Sequence, residues 1–445
     1  MDKAKITIGI PLLLSIIVVG TVLETSYLKI SAFTGGLRYP QYDIIIFSIL
    51  VAVFVTSQYF LLKFTDRKIE ENSSLPQLNR IRRLVSLVNY GIAGILSISI
   101  ITMLVESHYN ILVMEIVVGL SFGTAFILLA LLSYQFVTWY KIRPNKVVFL
   151  YLIAVATLCA NTLFALVYLQ LEFAEEPREV YHAISPVGAL SSSETFFRSA
   201  YFITSVLSFI ITWLATVFLL RNFSKKFGRF RYLVVLAIPL VYFLSQFQLV
   251  FLSLFDQFRA ADPISFAVIY TIVFSATKPA GGILFGVAFW TIVRRLDHSA
   301  VRDYMIISAY GMLLLFTSSQ PAGLVLLPYP PFGLPTISYY ALSSYLVVLG
   351  IYSAAISVAQ DADLRRSIRK SAAKISTMLE GIGESENQKE LVKKADLLAA
   401  EIKDIQNKNK NLIEESGVHS SLQESDIKSY IQQVLEEVKN RPKKD

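Results

Sequence analysis

Cysteine is almost missing from this chain, and the lone Cys159, in a mid-span run of Leu, Ala and Val, excludes an intramolecular disulfide. Histidine is nearly as scarce. The four, His108, His182, His298 and His419, fall in loops or at span ends, far apart, and no pair has the i, i+4 spacing of a helical metal site. No metal centre is expected. A glycine-rich phosphate loop and a nucleophile elbow are also lacking. His419 sits in a linker with no acidic neighbour following it, which argues against the phosphoacceptor helix of a histidine kinase. The chain is expected to be non-enzymatic and to need no cofactor.

Charge is thin as well, at 17% of residues, although the formal net charge is +8. From Gln360 onward 16 Lys+Arg oppose 16 Asp+Glu, so the excess belongs to the segment before it. Nucleic-acid binding thereby loses its main support.

What the chain has in abundance is apolar length. Of its 445 residues 54% are hydrophobic, with a mean hydropathy of +0.55, and the apolar residues fall in runs of about 20, enough to cross a bilayer as a helix. The runs predict ten spans: 6–28, 42–64, 84–106, 112–139, 147–172, 199–221, 232–255, 264–293, 304–327 and 338–359. The first has a short basic start but no small-x-small cleavage site, and reads as an anchor. Alternate loops carry 19 Lys and Arg, with clusters at Arg80, Arg82, Arg83 and at Lys141, Arg143, Lys146; the opposite set holds only Lys29, Arg38, Arg178, Arg198 and Arg259. Positive loops stay in the cytoplasm, so both termini are expected inside a cell membrane.

The expected class is an all-α polytopic membrane protein, with a ten-span domain over 1–359 and a cytoplasmic helical, coiled-coil tail over 360–445. The last span is predicted to run on through Asp361 and Asp363 into a stripe holding Ile368, Ile375, Leu379 and Ile382, and to stop at Gly381-Ile382-Gly383. Ser385 with Gln388 then reads as a capping box. Beyond it Leu391, Ala395, Leu398, Ile402, Ile405, Asn409 and Leu412 recur at alternating spacings of four and three, a coiled-coil seam with one polar position. That seam predicts a homodimer or a cytoplasmic protein partner bound through 360–445.

One stretch is costly for a membrane span: Phe274-Ser275-Ala276-Thr277-Lys278-Pro279-Ala280-Gly281. Counted from Ile264, Lys278 lies roughly 21 Å below the outer surface of a hydrocarbon slab about 30 Å thick. A lysine at such depth costs about 2.5 to 3.5 kcal/mol on insertion scales, and a proline frees a carbonyl one turn earlier. The ninth span repeats the pattern as Phe316-Thr317-Ser318-Ser319-Gln320-Pro321-Ala322-Gly323. Interrupted spans are how membrane proteins build sites at depth. Ser275, Thr277, Lys278, Pro279, Gly281, Ser319, Gln320 and Pro321 are therefore the candidate ligand or ion site. Gln320 is expected about 10 Å nearer the outer face than Lys278, so the two breaks are not expected to touch. The bland alternative has Lys278 snorkelling toward the inner interface beside Trp290.

Glu24, Glu106, Glu115, Glu172 and Asp256 sit near outer span ends and read as hydrated carboxylates. The last outer loop, with Pro328, Pro330, Pro331 and Pro335, reads as a stiff architectural lid. The functional expectations are a signal transducer coupling the Lys278 region to a cytoplasmic partner, a secondary transporter of two inverted five-span halves, or a membrane assembly scaffold.

Overall fold

The computed structural model describes residues 3–34, 40–72, 76–175, 179–181, 192–221, 228–247, 256–293, 300–320, 329–361, 365 and 377–416, with side chains described no further than residue 400. The chain is an all-α bundle, with one two-stranded ribbon among the described residues. In order the elements are α1 (Lys3–Thr34), α2 (Pro40–Asn72), α3 (Pro76–Glu106), β1 (His108–Asn110), α4 (Ile111–Ile142), α5 (Lys146–Glu175), β2 (Glu179–Tyr181), α6 (Ser192–Leu220) and α7 (Arg229–Ser245). They continue with α8 (Asp256–Ala261), α9 (Pro263–Ser275), α10 (Thr277–Val293), α11 (Ala300–Ser318), α12 (Leu334–Gln360) and α13 (Thr377–Ser416).

Among the described residues nine stretches are long and apolar enough to cross a membrane, α9 and α10 together forming one of them. This is the polytopic membrane architecture that the apolar runs predict, with one difference. The expected seventh span, 232–255, is represented by α7, whose 17 residues reach only about 25 Å at 1.5 Å each. Residues 248–255 lie outside the described residues, so the tenth crossing is not among the nine.

The bundle is built around α12, which has no charged residue between Leu334 and Gln360 and packs against α2, α3, α4 and α11. Its apolar stretch is 89% buried, against 33% for α1 and α3. Because lipid is as apolar as leucine, burial alone does not draw helices together, and close packing of small residues must contribute. Gly311 of α11 faces Val347 of α12, where an added Cβ would meet the Val347 nitrogen at 2.6 Å, and Gly350 of α12 lies against Tyr304 and Ser308 of α11. One layer further out, Gly282 and Gly286 of α10 lie one turn apart, and a Cβ on either would come within 2.7 Å of the Leu313 or Ala309 carbonyl of α11.

Hydroxyl contacts fix the register of α12 against its other neighbours. Gln58 donates to Ser338 Oγ at 2.6 Å, Tyr339 meets Ser57 and donates to the Phe54 carbonyl at 3.1 Å, and Thr162 pairs with Tyr340 at 2.8 Å. Glu24 is 1% exposed and is not a hydrated rim carboxylate. It accepts from the Gly333 N–H at 2.7 Å and from the Thr336 hydroxyl, capping α12 from a different helix. Gly333 takes φ 97°, a conformation open to glycine with little strain. Glu172 is buried as well, whereas Glu106 is exposed.

The end bearing β1 and β2 is closed by aromatic packing. Tyr109 is stacked on Tyr329 with ring centroids 6.2 Å apart, and Phe332 lies edge-on to Tyr27 and Phe47. Residues 329–332 are buried, consistent with an architectural lid. Burial raises the pKa of the Tyr109 and Tyr329 phenols above the usual tyrosine value, keeping both neutral as donors to Met114 Sδ and the Met103 carbonyl. The opposite end is tied by Arg82–Asp66 at 2.6 Å and Lys68–Asp303 at 2.9 Å.

The tail departs from expectation. α12 does not run on past its span: it ends at Asp361, which is extended at φ −100° and ψ 107°. Gly381 and Gly383 do not stop a helix but lie inside α13, where they allow close approach to Asn145 of the α4–α5 turn, Val148 of α5 and Val358 of α12. Ser385 is likewise inside α13 rather than a cap. Ile368 and Ile375 fall outside the described residues.

Gly311→Leu, which drives a side chain into the α12 backbone, is expected to destabilise the protein by at least about 1 to 3 kcal/mol. Gly94→Ala, with nothing within 4 Å of the new methyl, should leave it unchanged or slightly more stable. Thermal unfolding of detergent-purified protein, followed by loss of the monodisperse species, reads both.

Candidate functional site

The interrupted spans meet. α9 ends at Ser275, the chain turns at Ala276 (φ −89°, ψ −2°), and α10 starts at Thr277. The reason is local: Pro279 has no N–H, so the Ser275 carbonyl loses its helical donor. Other groups take up the carbonyls at the turn. Ala276 N–H donates to Val273 at 3.4 Å, with the Tyr242 hydroxyl also on that oxygen; Thr277 Oγ1 donates to Phe274 at 2.9 Å; Gln320 Nε2 reaches Ser275 at 3.5 Å. α11 in turn ends at Ser318, leaving Ser319 and Gln320 outside regular helix. The Ser319 carbonyl accepts from Lys278 Nζ at 2.7 Å.

The breaks thus exchange donors, Lys278 to the second and Gln320 to the first, correcting the expectation that they lie apart. Counting rise per residue gives the height of a Cα but omits side-chain reach. It also omits the tilt of Cβ toward the helix N-terminus, which leans Lys278 back toward the break. The ammonium does not snorkel toward Trp290. It lies 5.9 Å from the centre of the Tyr201 ring of α6, a cation–π position.

Around this pair the surroundings differ by side. Gly281 sits against Phe209, part of an aromatic cluster with Phe243, Phe285 and Phe316. Tyr201 is stacked on Tyr168 at 6.4 Å, and on the same helix Thr204 donates to Asn161 Oδ1 at 3.3 Å. Thr277 is buried; Ser275 is buried too, and its hydroxyl has no hydrogen-bond partner among the described residues. Pro321 lies outside the described residues. Among the described residues no three of His, Cys, Asp and Glu group together as metal ligands. An ammonium flanked by hydroxyls, an amide and a tyrosine face is equipped to hold an anionic or carbonyl-bearing group.

A second assembly lies at the other end of α12, where α13 docks. Met378, Leu379 and Ile382 are at most 1% exposed, packed in the chain's own core. Ser385 Oγ donates to the Trp139 carbonyl at 3.0 Å, and Trp139 Nε1 donates to Glu386 Oε2 at 2.8 Å. Arg143 pairs with Glu384 and lies 3.8 Å from Glu380. Comparison with family profiles, curated proteins and solved structures finds no match. From Leu391 onward the helix leaves the bundle: Leu391, Val392, Leu397 and Leu398 are 44 to 61% exposed.

Ile382 therefore belongs to an internal contact rather than a seam, while Leu391 and Leu398 are free to form one. The side chains of Ile402, Ile405, Asn409 and Leu412 lie outside the described set, although their backbone is helical. Sequence reading missed Tyr201 and the Trp139–Glu386 pair. Nothing distinguishes Tyr201 among 23 tyrosines, whereas two glycines in an otherwise helical pattern were a signal of close packing. Trp213 of α6 donates to the Leu236 carbonyl of α7 and Asn161 of α5 accepts from Thr204 of α6, ties between helices, whereas Gln246 donates to the Phe243 carbonyl of its own turn. Asn89 is buried with neither amide atom bonded among the described residues.

Lys278→Met removes a part-buried charge and the donor to Ser319; the two effects are of similar size and opposite sign, about 2.5 to 3.5 against about 1 to 3 kcal/mol. Its melting temperature should stay near wild type. Lys278→Glu, placing a carboxylate against a carbonyl, should lower it sharply, and Gln320→Leu should do so modestly. At the dock, Glu386→Ala leaves the Trp139 N–H unpaired, about 1 to 3 kcal/mol. Amide exchange over 377–390 should then quicken by about tenfold.

Proposed function

We propose that the chain is a multi-pass signal transducer in which a membrane-embedded site at Lys278 controls the docking of α13, whose free half engages a cytoplasmic protein or a second copy of the chain. The observation that carries this reading is the division of α13. Its first part is built into the bundle through Ile382, Ser385 and Glu386, and the continuation presents an apolar stripe at Leu391 and Leu398. A helix half inside and half outside such a bundle is suited to output. Its docking depends on the spacing of α4, α5 and α12, and α12 packs on α11, the helix whose end receives Lys278.

One observation favours a secondary transporter instead. A span broken at Ala276 that exchanges donors with the end of α11 resembles the discontinuous helices of transport sites. Lys278 then serves an anionic substrate. With the terminal orientation taken from the Lys/Arg asymmetry, either reading puts α13 in the cytoplasm.

Signalling requires the two sites to be coupled. Lys278→Met is expected to change amide exchange over 377–390 several-fold, and capture of the partner by intact protein should be lost when 377–445 is removed. Unchanged exchange, together with activity that survives the deletion but not Lys278→Met, would favour transport. Cysteines at Leu391 and Leu398 should form intermolecular disulfides if the partner is a second copy.

A further inference from the structure

At the end of the bundle where α13 docks, the α4–α5 turn borders a cleft of about 520 Å³, within the range of about 300 to 1,000 Å³ usual for ligand sites. Tyr140, Phe149, Leu150, Leu214 and Phe218 make it largely apolar, and Pro144, Asn145 and Lys146 form its rim. Its charge is of one sign. No acidic residue lines it, and Lys146 makes no ion pair among the described residues. Arg221 follows Phe218 by three residues, which places it on the same helix face. The acidic groups paired at the turn, Glu380 and Glu384, lie on α13 and engage Arg143.

We propose that this cleft binds an anionic phospholipid, its acyl chain along Phe149, Leu150, Leu214 and Phe218 and its phosphate at Lys146. The occupant follows from the pairing of surfaces. An apolar, aromatic trough opening at the end of three membrane helices matches a chain, and a lysine on its rim matches a headgroup phosphate. A water-soluble anion would gain nothing from the trough, and a zwitterionic lipid would gain less from the lysine. The leaflet is the cytoplasmic one, by the same Lys/Arg asymmetry that orients the bundle. The site lies apart from Lys278 and stands whether the chain signals or transports.

The full chain in phosphatidylcholine nanodiscs containing a photoactivatable phosphatidylglycerol tests this directly. Adducts should concentrate on 140–150 and 214–218, and unlabelled phosphatidylglycerol, but not added phosphatidylcholine, should compete. Lys146→Gln should lower labelling about fivefold, the contribution of one lysine near a phosphate, and Lys146→Arg should restore it. Labelling spread evenly over the lipid-facing helices, equal competition by phosphatidylcholine, or labelling unchanged in Lys146→Gln would overturn the proposal. Equal competition by glycerol 3-phosphate would replace the lipid with a free phosphate and overturn it too. The labelling map comes from the unmutated chain, so the test does not hang on a variant that fails to fold.

Discussion

A backbone carbonyl in hydrocarbon needs a donor, and this requirement organises the centre of the molecule. Pro279 removes one donor, and the chain answers with a turn at Ala276, two hydroxyls from Tyr242 and Thr277, and the amide of Gln320 from just past the end of α11. The second interruption is answered by Lys278. Each break is tolerable because the other lies beside it. The geometry of α10 against α11 therefore cannot change greatly without exposing at least one carbonyl, and the glycines at 282 and 286 hold the two helices close enough for the exchange.

The same economy of polar groups marks α12. A helix with no charge and many hydroxyls can be surrounded by other helices: Ser343 and Ser344 bond back to their own turn and Ser338 and Tyr340 reach neighbours, while Tyr345 and Ser353 have no hydrogen-bond partner among the described residues. Glu24 completes it by satisfying the first N–H groups, a role usually taken by a residue just before the helix. Through Gly311 and Gly350, α12 is also the neighbour of α11, so the central axis and the broken pair share one packing layer. Its far end receives Gly383 of α13 at Val358. A continuous line of close contacts thus joins the interruption in the membrane to the docked helix.

Much of this was legible in the sequence. Apolar length dictates helices in lipid, since no other open structure satisfies the backbone there. The two Pro-Ala-Gly stretches mark the breaks because proline and glycine act locally. What was not legible is what depends on the meeting of distant segments. The contact of Lys278 with Ser319 depends on side-chain reach, and the burial of Glu24 on a turn more than 300 residues away. The tail misled for a related reason. Gly381 and Gly383 have low helix propensity, and only the closeness of Asn145, Val148 and Val358 makes glycine the suitable residue there. Ile382 lies on an apolar stripe, and a stripe does not say whether it will meet another chain or its own.

The extended residue at Asp361 has a mechanical consequence. A rigid helix leaving the membrane would carry torsion, so that rotation of the last span turned the whole tail. An extended residue at 361 interrupts that rigid path. On the proposed signalling reading, what α13 would register is displacement: the separation of the α4–α5 turn from the end of α12, against which its first turns pack. A helix docked at one end and exposed from Leu391 would, on that reading, turn small sideways shifts among those helices into larger movements of Leu398.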